Sequence, residues 1–517
     1  MSNREIAGIM ISIMISLLLA ALDSTIVGTA MPKIIGDLHG MERYSWPFTA
    51  YMLFSTLAIV VFGRLSDLYG RKPVFLFGIL FFLFSSALCG LSRSMLQLII
   101  FRGLQGIGGG VLVSSAFIIV GQLFPPRERG KYMGLLVSMF GLASVLGPAV
   151  GGLITDHLNW RWVFYVNLPL GAIACMLVIF LLPRLPPLTD LKHVDYQGTL
   201  FLLFALLPLF LALTWADTAY PWLSVQIIGL LLFSALMFLL FFSAEHKAFQ
   251  PILPLSLFNN SIFAVSVVTM FLSSAVMFCG IVYIPLFVQA VLGASATGSG
   301  MVTTPMMLGL TFSAILTGRI ISRTGRYKAL AVISFCIAGA SLVFLSRMNT
   351  RTTLSIILFY SALFGIGSGM VMPSFNIAVQ NAFPLRDLAL VTSSLQFFRN
   401  MGATIGTSVF GYVMSATMKS GITSIDLSGV SPRIANVVTN PRMLSNRSGL
   451  GEIRAHLPDG LLPQFDRLFD QVRGVMSHSI QEIFFIGLIV MVISLVVTLW
   501  LKELPLRREE VSFTEKE

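Results

Sequence analysis

The chain has 517 residues, 56% of them hydrophobic and only 11% charged, with a formal charge of +11. That apolar excess excludes an ordinary soluble domain, and no basic run is dense enough for a nucleic-acid surface. With a mean hydropathy of +0.86, many windows reach the roughly 20 apolar residues of a membrane-crossing helix, and β-barrel alternation is absent.

Fourteen apolar segments are predicted, near 6–29, 46–66, 73–91, 95–122, 131–154, 162–182, 197–215, 222–243, 262–290, 299–321, 328–346, 353–376, 388–415 and 479–501. The first has little basic n-region and no cleavage site, so it reads as a helix rather than a signal peptide. The fold class is therefore all-α and polytopic. One set of loops and tails holds 19 Lys and Arg, the opposite short loops hold 6. The richer side is expected to be cytoplasmic, with both termini inside. A stretch from about 416 to 478 lies outside on this scheme, and its "LPDGLLPQFDRLFDQVRGVM" reads as an amphipathic helix or hairpin against the outer face. Cys89, Cys175, Cys279 and Cys336 all fall in apolar runs and read as packed helix residues rather than disulfides or metal ligands. No metal site and no cofactor are expected.

In chain order, Asp23 comes first. It is the only carboxylate deep within any segment. An acid there costs about 2.5–3.5 kcal/mol, so it should face a wet cavity or a partner. Its competing role is a structural hydrogen bond at a helix kink. "GRLSDLYGRK" (63–72) then supplies Gly63, Asp67, Gly70 and Arg71, expected to form a tight gating turn. A solvated positive-inside turn is the plainer alternative. Arg102 sits inside the fourth segment beside Gln105. It cannot usefully deprotonate, so it is no proton carrier.

"GLASVLGPAVGG" (141–152) carries Gly141, Gly147, Pro148, Gly151 and Gly152. Gly147 and Gly151 stack on one helix face as a GxxxG contact, and Pro148 frees a carbonyl that a neighbouring helix must cover. The expected neighbour is helix 8 or 9. Further along, Tyr51, Tyr283, Gln289, Asn376, Gln380, Phe397 and Arg399, with Gln105, are candidates for lining a substrate cavity. Core packing is the competing reading for each.

The chain also repeats itself. "GRLSDLYGRK" is echoed by "GRIISRTGRYK" (318–328), "RGLQGIGGG" (102–110) by "SALFGIGSG" (361–369), and Gly147 and Gly152 by Gly406 and Gly411. Segments 1–6 and 9–14 are thus copies flanking an inserted pair. The expected organisation is 1–185, a six-helix bundle; 186–250, a two-helix insert; and 251–517, a second bundle bearing the long outer loop. The copies differ in polarity: Asp67 becomes Ser322, Arg102 becomes Ser361, Gln105 becomes Phe364 and Pro148 becomes Thr407.

These motifs, with "LDSTIVGTAMPKI" (22–34), "WRWVFYVNLPLG" (160–171) and "YIPLFVQAVLGASATGSG" (283–300), resemble the major facilitator superfamily, and within it the fourteen-helix drug:proton antiporters. The resemblance implies two bundles around a central cavity, peripheral extra helices, and alternating access. It implies export coupled to proton entry, with Asp23 taking the proton, Arg102 biasing it, and the 141–152 motif sealing the cavity against leak. Such families often carry an acid at the cytoplasmic end of helix 4. This chain has Gln122 there, so the expected relay rests on Asp67 with Arg71.

The expected function is proton-coupled efflux of small amphipathic compounds or drugs across the plasma membrane, by a monomer whose partners are the bilayer, substrate and protons. With one deep acid, neutral or singly cationic substrates are expected over dications. Rivals are an exporter of a single endogenous metabolite or lipid-linked substrate, an importer or facilitator on the same scaffold, and a non-transporting sensor. No P-loop or enzyme motif is present.

Overall fold

The computed structural model describes residues 3–38, 43–183, 195–216, 219–294, 296–425 and 462–506. Among them no strand occurs, and the fold is all helical. Its membrane helices are α1 Asn3–Leu38, α2 Trp46–Tyr69, α3 Arg71–Leu91, α4 Met95–Leu123, α5 Pro126–His157, α6 Trp162–Leu181, α7 Tyr196–Trp215 and α8 Val225–Lys247. They continue with α9 Ser261–Leu286, α10 Ala296–Thr324, α11 Tyr327–Leu345, α12 Leu354–Ala382, α13 Leu388–Thr423 and α14 Leu462–Leu499. All but α13 are long and apolar enough to cross a bilayer by composition alone. In α13 the mid-helix Arg399 and Asn400 and a row of Ser and Thr lower the average.

Start signals are local. Ser94 Oγ accepts from Gln97 N at 3.3 Å, Ser224 Oγ from Ile227 N at 3.3 Å, and Asn260 Oδ1 from Ile262 N at 2.9 Å. Each supplies an acceptor to a donor that the first helical turn leaves orphaned. In the last turn of α8, buried Glu245 accepts from Ile252 N at 3.2 Å and Leu253 N at 3.1 Å, tying the connection into α9 to the helix end.

Several helices outrun their apolar segments. The 36-residue α1 extends to about 54 Å, well past the apolar core. The described part of the amphipathic stretch before the last span, from Leu462, is not a separate helix but the first half of α14, and the rest of it lies outside the described residues. Phe465, Leu468, Val472 and Met476 form its buried stripe, a spacing that keeps one face inward while the polar face stays outside. Arg473 Nε donates to Val291 O at 2.7 Å and anchors it to the π-helical turn Phe287–Val291 that follows α9.

The internal repeat is visible in the packing. Gly106 abuts the backbone of Tyr51, Gly108 that of Phe82, and Gly110 that of Ser55. In the second copy Gly365 abuts Met306, Gly367 Ala338 and Gly369 Leu310, the matching positions. Gly147 lies on Thr25 as Gly406 lies on Ala275. Without a hydrophobic drive between helices in lipid, such bare glycine faces allow the close backbone contact that dispersion requires. Gly70 and Gly325, also equivalent, both take positive φ, 89° and 74°. The inserted helices α7 and α8 pack on each other, and α7 packs against the flank of α2 and α13, where Leu202, Leu206 and Phe210 share one cluster with Leu53 and Val60.

Candidate functional site

The helices enclose a cavity of about 400 Å³, walled by α1, α2, α4, α5, α9, α10, α12, α13 and α14. None of its lining residues comes from α7 or α8. The wall is mostly Met, Phe and small residues, with two cations, Arg102 and Arg399, and no carboxylate. A positively charged cargo would therefore meet no acid at the wall itself.

Asp23 lies behind that wall. It is 0% exposed, and Arg102 is 1% exposed. Arg102 Nη1 donates to Asp23 Oδ2 at 2.5 Å and to Gln105 Oε1 at 2.8 Å. Gln105 Nε2 donates to Asp23 Oδ1 at 2.8 Å, and so does Asn167 Nδ2. Asn167 also donates to Ser86 Oγ at 3.0 Å. The carboxylate is thus held from α4 and α6 at once, by charge-assisted bonds of the strong kind. The Arg102 guanidinium carbon sits 4.3 Å from the centre of the Tyr51 ring, a cation–π distance. Tyr51 and Arg102 both line the cavity, and Asp23 does not. The sequence placed Asp23, Arg102 and Gln105 correctly on their helices. It missed Asn167, whose signal was being the sole carboxamide in Trp162–Leu181.

The other cavity candidates divide. Tyr51 and Arg399 line the space. Gln105 does not; it belongs to the network around Asp23. Tyr283 is buried in the second bundle, Gln289 sits in the π-helical turn, and Phe397 packs into the cluster shared with α7. Asn376 donates to Met372 O at 2.9 Å and accepts from Gln396 Nε2 at 3.4 Å, away from the wall. Gln380 Nε2 reaches Thr392 Oγ1 at 3.1 Å and Phe117 O at 3.4 Å, bridging the two halves. The sequence shows the chemistry of each side chain, not which way the folded helix turns it.

The 63–72 stretch is not one turn. Gly63 and Asp67 lie inside α2, which runs to Tyr69, and only Gly70 makes the turn. Its φ of 89° and ψ of 156° is a region essentially reserved for glycine. Arg71 Nη2 donates to Asp67 Oδ1 at 2.5 Å, Nη1 to Ser66 Oγ at 2.6 Å, and Nε to Gln122 Oε1 at 2.9 Å. Gln122 therefore occupies the acceptor position as a neutral group. A side chain at Gly63 would collide with Ser393 of α13.

The 141–152 motif packs on other neighbours than expected. Gly147 and Gly151 face Thr25 and Thr29 of α1, not helix 8 or 9. Thr25 Oγ1 donates to Ala143 O at 3.0 Å, covering part of the backbone near Pro148. Gly141 faces Thr311 of α10, and earlier glycines of the same helix continue that seam, Gly134 on Ala314 and Gly130 on Gly318. Gly152 has no atom within 4 Å of where its side chain would be. Helix α5 runs unbroken through Pro148. Its glycines thus serve two faces: the outer ones close onto α1, the inner ones onto the other half.

Polar contacts between the halves gather at the end bearing Gly70 and Gly325. Arg129 Nη1 donates to Gln380 O at 3.2 Å, and Lys131 N to Ser322 Oγ at 3.0 Å. The cavity extends toward the opposite end, where Phe48 lines it.

Comparison with known proteins agrees with this architecture. A model of the Major Facilitator Superfamily matches residues 13–407. The chain is 36% identical to the multidrug transporter protein MdtP of Bacillus subtilis, over 96% of this chain and 93% of that protein. It is 35% identical to multidrug resistance protein 3 of the same organism, over 95% and 94%. The crystal structure of the human organic anion transporter MFSD10 (TETRAN) aligns with a TM-score of 0.61 at 16% identity, covering 95% of this chain and all of that one, a likeness of fold.

Proposed function

The chain belongs to the major facilitator superfamily, and from that premise we propose that it exports small amphipathic organic compounds in exchange for protons. It does so as a multi-pass monomer of the plasma membrane with both termini cytoplasmic. The bundles 1–185 and 251–517 rock about the cavity, and 186–250 rides on their flank. The two relatives named as multidrug proteins support the substrate class.

The observation that carries the coupling is the buried Asp23–Arg102 pair at the cavity wall. When Asp23 is ionised, Arg102 is drawn back against it. When Asp23 takes a proton, the attraction is lost and Arg102 is released toward the cavity. Coulombic attraction at such separations is large only where water is excluded, so each protonation change shifts the balance between states. The end closed by Gly63–Ser393 and Gly130–Gly318 is the cytoplasmic one, with Asp67, Arg71 and Gln122 beside the seam.

The test is substrate-triggered proton release from acidified inside-out vesicles, followed with a pH-sensitive dye. The unaltered protein is expected to release protons with several amphipathic drugs, and Asp23→Asn to release none. Release undiminished in Asp23→Asn would remove the acid from the proton path. No release with any compound would remove antiport.

A further inference from the structure

We propose that Arg399 binds the acidic group of the cargo, so that the preferred substrates are amphipathic organic anions. The inference rests on the export reading above and names the substrate class for its cavity.

The two cations in the wall are not equivalent. Arg102 is neutralised by Asp23. Arg399 has only neutral company: its Nε donates to Gln396 Oε1 at 2.9 Å, its Nη2 to Asn400 Oδ1 at 3.1 Å, and its carbon lies 5.7 Å from the Phe140 ring centre. Among the described residues its Nη1 donates no hydrogen bond, and no carboxylate lines the cavity. Arg399 is half-buried in a largely apolar wall, and a guanidinium there without a counter-ion has given up part of its hydration with no opposite charge in return. An incoming anion relieves that cost; a cation increases it. The planar fork suits carboxylate, sulfonate or phosphate oxygens. The rest of the chamber suits an apolar body: Met270, Met277, Met307 and Phe278 offer soft, adaptable surface. Arg399 belongs to the second half and Phe140 to the first, so an anion seated there lies on the seam that must part and re-form.

The probes are dansyl sulfonate and uncharged dansylamide, which share one ring system, with a trimethylammonium analogue of similar size. Binding to the full-length protein in neutral detergent is measured by equilibrium dialysis near neutral pH. The unaltered protein is expected to hold the sulfonate about tenfold or more tighter than the amide, the range of a charged hydrogen bond, and the cation weakest. Arg399→Lys keeps that preference and Arg399→Gln reduces it to about one. Equal binding of sulfonate and amide by the unaltered protein, binding of neither, or a preference that survives in Arg399→Gln, overturns the inference. Displacement of the sulfonate by micellar phosphatidylglycerol assigns the site to a lipid headgroup and also overturns it. The preference of the unaltered protein needs no variant to fold. Flux of neutral amphiphiles with no anion preference would sink this inference and leave export standing. Anion preference in binding without flux of any compound would do the reverse.

Discussion

Asn167 reaches across from α6 to hold Asp23 Oδ1 at 2.8 Å, the same oxygen that Gln105 holds from α4. With Arg102 on the other oxygen, every strong partner of the acid is a donor. Both carboxylate oxygens are thus met by donors, and a single guanidinium stands opposite the acid.

The ion pair can be measured as a coupling. Asp23→Asn takes away the counter-charge of Arg102, a loss of about 3–5 kcal/mol for such pairs. Arg102→Gln leaves the acid in the same position. The double variant should recover about 2 kcal/mol or more relative to the sum of the singles, read from thermal unfolding of the detergent-solubilised protein. Strict additivity would mean that the two side chains do not share one interaction.

Gln122 should matter as an acceptor despite carrying no charge. Gln122→Leu strands the buried Arg71 Nε at a cost of about 1–3 kcal/mol and loosens the end where Gly63 meets Ser393. The readout is labelling of Ser393→Cys by a membrane-impermeant maleimide added from the cytoplasmic side, in a background lacking the four native cysteines. Ser393 is buried here, so labelling should be low in the parent and rise severalfold with Gln122→Leu. Equal labelling would show that Gln122 holds nothing closed.

The α5–α10 seam gives a steric test. A methyl group at Gly318 collides with the backbone of Gly130, which cannot yield as a side chain would. Gly318→Ala is expected to cut vesicle transport about tenfold or more, since it removes roughly 1.4 kcal/mol or more from the closed state. Gly152→Ala, with open space around it, should leave transport and melting unchanged within about 0.5 kcal/mol. Loss of transport in both would place the effect outside the seam.

What the sequence disclosed follows from cost. A charge in a membrane helix is expensive, so Asp23 and Arg102 stand out against apolar neighbours. Glycines at matching positions expose the repeat because only close backbone contact demands them. What stayed hidden depends on helix rotation. Phe397 and Tyr283 are as apolar as the residues that do form the wall, and nothing local says which side of α13 or α9 faces the cavity. Gly147 found α1 rather than a later helix because its neighbour is chosen by the tilt of α5, which belongs to the assembled bundle.

The complete enclosure of Asp23 also governs timing. Asp23 is 0% exposed and does not line the cavity, while its partner Arg102 does, so a proton reaches the acid only when surrounding side chains move. Exchange is then limited by the protein's own opening rate rather than by collision with hydronium or buffer. Turnover should consequently be indifferent to buffer concentration at fixed pH, and proton release after a rapid pH jump should lag behind the jump itself.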